Sequence, residues 1–285
     1  MPAARKANQS VLELFDDLER LGHLLMRYVV PVMQNDDQEY PVGIGTGFLV
    51  KHLGQPYLVS AGHVFDHTKD GLLYFYSKQN KIRQIYGNIF RFPSAHREGS
   101  PSDLIDVGIL RLAGPGYPPL ELLDKGCLES CQLLATNSRF DASGRADGQY
   151  FITGYPSSKT EVKRSAEMLE SAPWGVHGRE VDLDVYNGQG LSPTNYLILR
   201  LEKKPVGRNG HRSFHPDPHG MSGSPVWLLG IPGQDEQHPG NPVVAIAIEY
   251  RSNPGVVVAA RIGAIRYLLS EATKIRFSYE LQNDR

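Results

Sequence analysis

At 285 residues the chain is long enough for one large domain or two modest ones, and 40% hydrophobic with 21% charged residues is the composition of an ordinary globular protein. Thirty Lys and Arg against 31 Asp and Glu leave a net charge of −1, so there is no overall basic field to hold nucleic acid or an anionic membrane. The apolar runs are short: "LLMRYVVPVM" is interrupted by Arg27 and Pro31, and nothing approaches the roughly 18 apolar residues that cross a bilayer.

The N-terminal stretch "MPAARKANQSVLELFDDLER" starts basic and turns acidic, without the apolar core and small-residue cleavage site of a secretory signal. Ser10 and Glu13 have the spacing of a capping box, and Leu14, Phe15, Leu18, Leu21 and Leu25 recur at helical intervals. This predicts an amphipathic helix within residues 1–26, docked on its own domain or on a regulatory protein partner. From residue 27 the pattern changes to short β-branched and aromatic runs: "RYVVPVM", "VGIGTGFLV", "PYLVSAGHVF", "LLYFYS", "IYGNIFRF" and "DVGILRL". Six strands in so short a span suit a small closed antiparallel barrel over 27–119, ending at "AGPGYPP".

Residues 120–147 read as a linker or insertion containing Cys127 and Cys131. Two cysteines four residues apart make neither a disulfide framework nor a zinc site, so reduced thiols and a cytoplasmic setting are expected, with no metal and no cofactor. A second set of six strands follows over 148–260: "QYFITGYP", "EVDLDVY", "NYLILRLE", "SPVWLLG", "VVAIAIEYR" and "GVVVAARI". Residues 261–285 read as a C-terminal helix and tail, the helix near 261–274 with Ile262, Ile265, Leu269 and Ala272 on one face.

Three short motifs carry the chemistry. "YLVSAGHVF" sets His63 at the end of an apolar strand, "DVGILRL" opens on Asp106, and "HGMSGSPVW" sets Ser222 between glycines. A serine hydroxyl is a poor nucleophile until a base takes its proton, and the base needs an orienting partner. The chain order His, Asp, Ser is the order of the chymotrypsin-type triad, the general worked case for this chemistry.

With "GTGFLV" ahead of "SAGHV", these stretches resemble the trypsin/chymotrypsin-like serine protease superfamily, most of all its disulfide-free, HtrA-like bacterial branch, without a PDZ domain. The similarity runs from about residue 40 to 270. It implies an all-β fold of two six-stranded antiparallel barrels with an N-terminal and a C-terminal helix. It further implies a serine endopeptidase acting on protein or peptide substrates through His63, Asp106 and Ser222. The backbone N–H groups of Gly220 and Ser222 would form the oxyanion hole. The primary pocket would lie near Phe214 to Pro218 and Ile248 to Tyr250, with Asp217, Ile248 and Glu249 as its candidate residues.

Several neighbours are weighed and set aside. Asp103 precedes the strand motif that Asp106 opens. Ser224 stands where the family prefers glycine and reads as structural. His211, His215 and His219 recur every four residues, but Pro216 and Pro218 forbid a metal-binding helix. Met221 replaces the aspartate that in secreted trypsin-like enzymes captures a newly cut N-terminus, so activation by trimming is not expected. Segments 135–147 and 157–194 read as insertions able to regulate access. The competing functions are a catalytically weak protease-like binding module and an esterase.

Overall fold

The computed structural model describes residues 20–37, 40–69, 73–76, 82–92, 105–112, 126–163, 168–201, 218–229 and 241–283. Its first half is one sheet built from β1 (Val29–Asn35), β2 (Pro41–His52), β3 (Gln55–Ala61), β4 (Leu73–Tyr76), β5 (Ile82–Ile85), β6 (Gly87–Arg91) and β7 (Val107–Leu112). These pair antiparallel in the order β5-β4-β1-β2-β3-β7-β6, and β8 (Leu128–Glu129) adds to β2 in parallel.

Both faces of the central strands β1, β2, β3 and β7 are covered, which explains why these are continuous apolar runs rather than alternations. Val30, Leu49, Leu58 and Leu110 point into one cluster. Their chain neighbours Val29, Phe48, Val59 and Ile109 point into another, which includes Phe151 and Trp227 of the second half. The side-chain period of two thus assigns alternate residues to the sheet's own interior and to the junction between the halves.

The second half contains β9 (Gln149–Gly154), β10 (Thr160–Lys163), β11 (Met168–Ser171), β12 (Trp174–Glu180), β13 (Tyr196–Leu201), β14 (Pro225–Leu228), β15 (Val243–Arg251) and β16 (Val256–Arg261). Six of these close a barrel in the order β12-β13-β16-β15-β14-β9, while β10 and β11 form a separate hairpin. Two helices complete it: α1 (Leu183–Gln189) and α2 (Gly263–Asn283).

The closed hydrogen-bond ladder lies in the second half, and the first half, among the described residues, is an open sheet with β5 and β6 at its edges. Expectations for some single elements are corrected. "EVDLDVY" is not a strand but leads into α1. Its alternating Val181, Leu183 and Val185 imitate a strand, yet Tyr186 is the residue buried in the helix, and Gly190 ends it in a left-handed conformation with φ of 65°. The strand of that region is β12, "WGVHGRE", masked by two glycines. Gly175 is required there, because a Cβ would lie 2.4 Å from the Phe151 ring. Segment 157–194 therefore holds an integral barrel strand, and α2 runs well past residue 274.

Of the N-terminal helix, residues 20–26 are helical; Ser10, Glu13, Leu14, Phe15 and Leu18 lie outside the described residues, as does the boundary at 113–119. Leu25 is fully buried and Gly22 lies against Phe151, so this part of the helix docks on the protein's own second half. Among the described residues no helix is long and apolar enough to cross a membrane.

A buried ionic knot ties the barrel to the preceding segment. The Glu180 carboxylate accepts hydrogen bonds from Tyr150 (2.9 Å), Tyr186 (2.9 Å), Ser138 and Arg261 (3.2 Å). Arg261 also donates to the carbonyls of Pro193 (2.7 Å) and Tyr196 (3.1 Å). Burial, then the neighbouring Glu180 charge, pushes the Tyr150 and Tyr186 phenols upward, so both stay protonated as donors. With side chains only 5% and 1% exposed, Arg261 and Glu180 cannot lose a partner cheaply. Arg261→Leu is expected to lower stability by about 3 kcal/mol or more, read from urea unfolding.

Cys127 is half-buried and Cys131 exposed, and both are free thiols. Burial, with help from Glu129, raises the Cys127 thiol to about 11. Iodoacetamide at mildly alkaline pH should therefore alkylate Cys131 and spare Cys127, as peptide mass mapping would record.

Candidate active site

The first part of the site is set by strand register. β3 and β7 pair with Ala61 opposite Val107, so the residues just beyond the ladder, Gly62 and His63, face Asp106. The Gly62 N–H donates to the Asp106 carbonyl (3.1 Å) and the His63 N–H to Asp106 Oδ1 (2.9 Å). His63 Nδ1 lies 2.5 Å from Asp106 Oδ2. With Nδ1 protonated toward the carboxylate, Nε2 becomes the basic ring nitrogen. Asp106 is nearly buried, its side chain 7% exposed, while His63 is 26% exposed.

This arrangement needs glycine at position 62, since a Cβ there would lie 2.5 Å from Asp106 Oδ1. His63 follows in a 3₁₀ turn, Gly62–Lys69, that swings the imidazole off the strand end. Gly62→Ala should abolish the strongly downfield Nδ1 proton resonance expected of the His63–Asp106 pair, a change seen directly by proton NMR.

The second part is the turn at residues 218–224, which rests on β2. The Thr46 N–H donates to the Ser222 carbonyl (2.8 Å), and the Thr46 hydroxyl donates to the Gly220 carbonyl (2.9 Å). The His219 carbonyl accepts the Ser157 N–H (2.7 Å) and hydroxyl (3.1 Å). Within the turn, Met221 N–H donates to the Pro218 carbonyl (3.0 Å) and Ser224 N–H to the Met221 carbonyl (3.0 Å). The Gly223 N–H reaches the Ala247 carbonyl (2.7 Å). Gly220 and Ser222, by contrast, have N–H groups without a protein acceptor among the described residues.

Two glycines make the turn possible. Gly220 has φ of 86° and Gly223 φ of 91°, the left-handed region. A Cβ on Gly223 would lie 2.0 Å from the Thr46 carbonyl oxygen and 2.2 Å from Ser60 Oγ, so the serine turn sits directly on the strand end that leads to His63. Ser222 Oγ itself donates a long, 3.4 Å hydrogen bond to the Ile248 carbonyl and makes none to His63. Ser224 is fully buried against Gly154, which denies it access to a substrate, and among the described residues its hydroxyl has no hydrogen-bond partner.

The surroundings of Ser222 are those of a groove. β14 and the serine turn pair with β15 as far as Ala247, yet β15 continues to Arg251, leaving its far end with an open edge beside the serine among the described residues. A narrow recess of about 20 Å³ adjoins Ser222, walled by Ile152, Val176, Met221, Ala247 and Val257. Glu249 and Tyr250 also line it. The Glu249 carboxylate is half exposed and pairs with Arg251 at 2.9 Å. Ile248 contributes its carbonyl to Ser222; Asp217, Asp103, His211 and His215 lie outside the described residues. His219 is exposed, and among the described residues no group of three His, Cys, Asp or Glu side chains is arranged to hold a metal ion.

Sequence reading missed Thr46 and Ser157. Thr46 was visible inside "GTGFLV", where a hydroxyl at a buried strand position asks for a hydrogen-bond partner. Ser157 carried no signal of its own.

No protein-family model matches the chain, and no curated protein matches it. Solved structures do. Neuropsin, a serine protease expressed in the limbic system of mouse brain, is similar over 89% of this chain and 95% of its own, at 13% identity and a TM-score of 0.51. A thermostable serine protease, AL20, from an extremophilic microorganism aligns over 87% of this chain and 98% of its own, at 13% identity and a TM-score of 0.48. The fold is thus the two-barrel fold of the trypsin/chymotrypsin-like serine proteases, with the first barrel opened into a sheet in its described part.

Proposed function

We propose that the protein is a serine endopeptidase that hydrolyses peptide bonds through His63, Asp106 and Ser222. The observation that carries this reading is the pair of unspent N–H groups, Gly220 and Ser222, in a turn whose other backbone groups are largely paired. Two unpaired amides presented by half-buried residues of one turn suit a site awaiting an oxyanion.

In the reaction, the Ser222 hydroxyl turns from the Ile248 carbonyl to His63 Nε2 as the substrate enters, since catalytic hydrogen bonds tighten in the bound complex. His63 takes the Ser222 proton as Oγ attacks the scissile carbonyl, and the carbonyl oxygen gains negative charge between the two amides. His63 then returns the proton to the leaving amine, and water repeats the cycle on the acyl-enzyme. Asp106 holds the imidazole's tautomer and balances its positive form. An extended peptide fits the open edge of β15 by strand addition, which favours a peptide over a small ester as substrate. The apolar walls of the recess favour a compact uncharged side chain before the cleaved bond.

The test is labelling with a fluorophosphonate. The expected adduct sits on Ser222, is lost in Ser222→Ala, and is slowed by about a thousandfold or more in His63→Ala. A folded protein that takes no label, with or without peptide, would be the binding module instead.

A further inference from the structure

The oxyanion turn has an unusual support. A trans peptide points its carbonyl and its following N–H in opposite directions, so whatever grips the carbonyl also aims the amide. The His219 carbonyl is gripped by the N–H and hydroxyl of Ser157 at 2.7 and 3.1 Å, which sends the Gly220 N–H away from Ser157. The next carbonyl, that of Gly220, is gripped from the other side by Thr46 Oγ1 at 2.9 Å. Thr46 Oγ1 is itself fixed, because it accepts the buried Tyr155 N–H at 2.8 Å and the residue is fully buried. One hydroxyl therefore joins β2, the end of β9 and the serine turn.

Rotation of the 219–220 peptide would replace the Gly220 N–H by a carbonyl oxygen on the reactive side. Such a rotation has to break the Ser157 bonds and drag Gly220 against the Tyr155–Ser157 backbone, where even a Cβ would lie 2.7 to 2.8 Å from its neighbours. Met221, at 7% exposure and without charge, supplies no ion pair for this task.

We infer that Ser157 and Thr46 are positioning residues that act together: Ser157 holds the 219–220 peptide so that the Gly220 amide is aimed at the reacting carbonyl, and Thr46 fixes the adjoining 220–221 peptide so that Gly220 cannot turn, and the oxyanion hole is formed before substrate arrives. This rests on the reading of Gly220 and Ser222 as the oxyanion donors. Thr46 does not touch the reacting atoms; it acts through the Gly220 peptide.

The experiment compares Thr46→Val, which keeps the shape and removes the hydroxyl, with Thr46→Ser, which keeps the hydroxyl, and with Ser157→Pro. Ser157→Pro removes both the N–H and the hydroxyl and sets a ring carbon against the His219 carbonyl, so it breaks this grip outright. On a peptide substrate, Thr46→Val should lower kcat about 100-fold with KM changed less than about threefold. Thr46→Ser should recover it to within about tenfold, and Ser157→Pro should lower kcat about tenfold. In ¹⁵N-labelled protein the Gly220 and Tyr155 amide signals should move in Thr46→Val and stay near their wild-type positions in Thr46→Ser. A folded Thr46→Val with wild-type kcat and unmoved amides would overturn the assignment. So would an unaltered kcat in Ser157→Pro, should Thr46→Val fail to fold. If wild-type protein neither labels at Ser222 nor cleaves peptides, the protease reading falls, and the amide signals alone decide whether Thr46 positions Gly220.

Discussion

The hydrogen bond from the Thr46 N–H to the Ser222 carbonyl, 2.8 Å long, is the constraint on which the site depends. It fastens a turn of the second half to a strand of the first, and it forms only because Gly223 lets the two backbones meet at a distance no side chain would allow. Once that contact is made, the register of β2 against β3, and of β3 against β7, carries the position of Ser222 across the sheet to His63 and Asp106. Three residues far apart in sequence are located by consecutive strand pairings rather than by direct attraction among themselves.

Much of this was legible in the sequence for a physical reason. His63 and Asp106 sit at strand ends beside small residues, and the serine turn needs glycine at two left-handed positions; such local demands leave compact motifs. Asp106 stands out in the sequence by its place at the mouth of β7, and its two carboxylate oxygens meet the His63 N–H and Nδ1. The apolar face of α2 was equally readable: Ile265, Leu269 and Ala272 are buried, as is Ile262 just ahead of the helix.

What was not legible depends on distant partners. β12 hides behind glycines whose purpose is the Phe151 ring, and Phe151 belongs to another strand. The start of α1 alternates like a strand, and only the burial of Tyr186 beside Glu180 and Phe140 decides its course. Glu180 and Arg261 read as surface charges until the barrel closes around them. Thr46 looks like a filler between two glycines, and its meaning appears only when Tyr155 and Gly220 arrive at its hydroxyl.

The two ends of the described chain cross over. Residues 20–28 precede the first sheet yet lodge Leu25 and Tyr28 among Phe151 and Trp227 of the barrel, with the Tyr28 and Trp227 rings 5.9 Å apart. The helix α2 leaves the barrel yet lies on β7 and β6, stacking Tyr267 on Phe92 at 5.7 Å. Each half is clasped by a strap belonging to the other. Neither can melt without stripping its neighbour of apolar cover, so the two straps couple the unfolding of one half to that of the other.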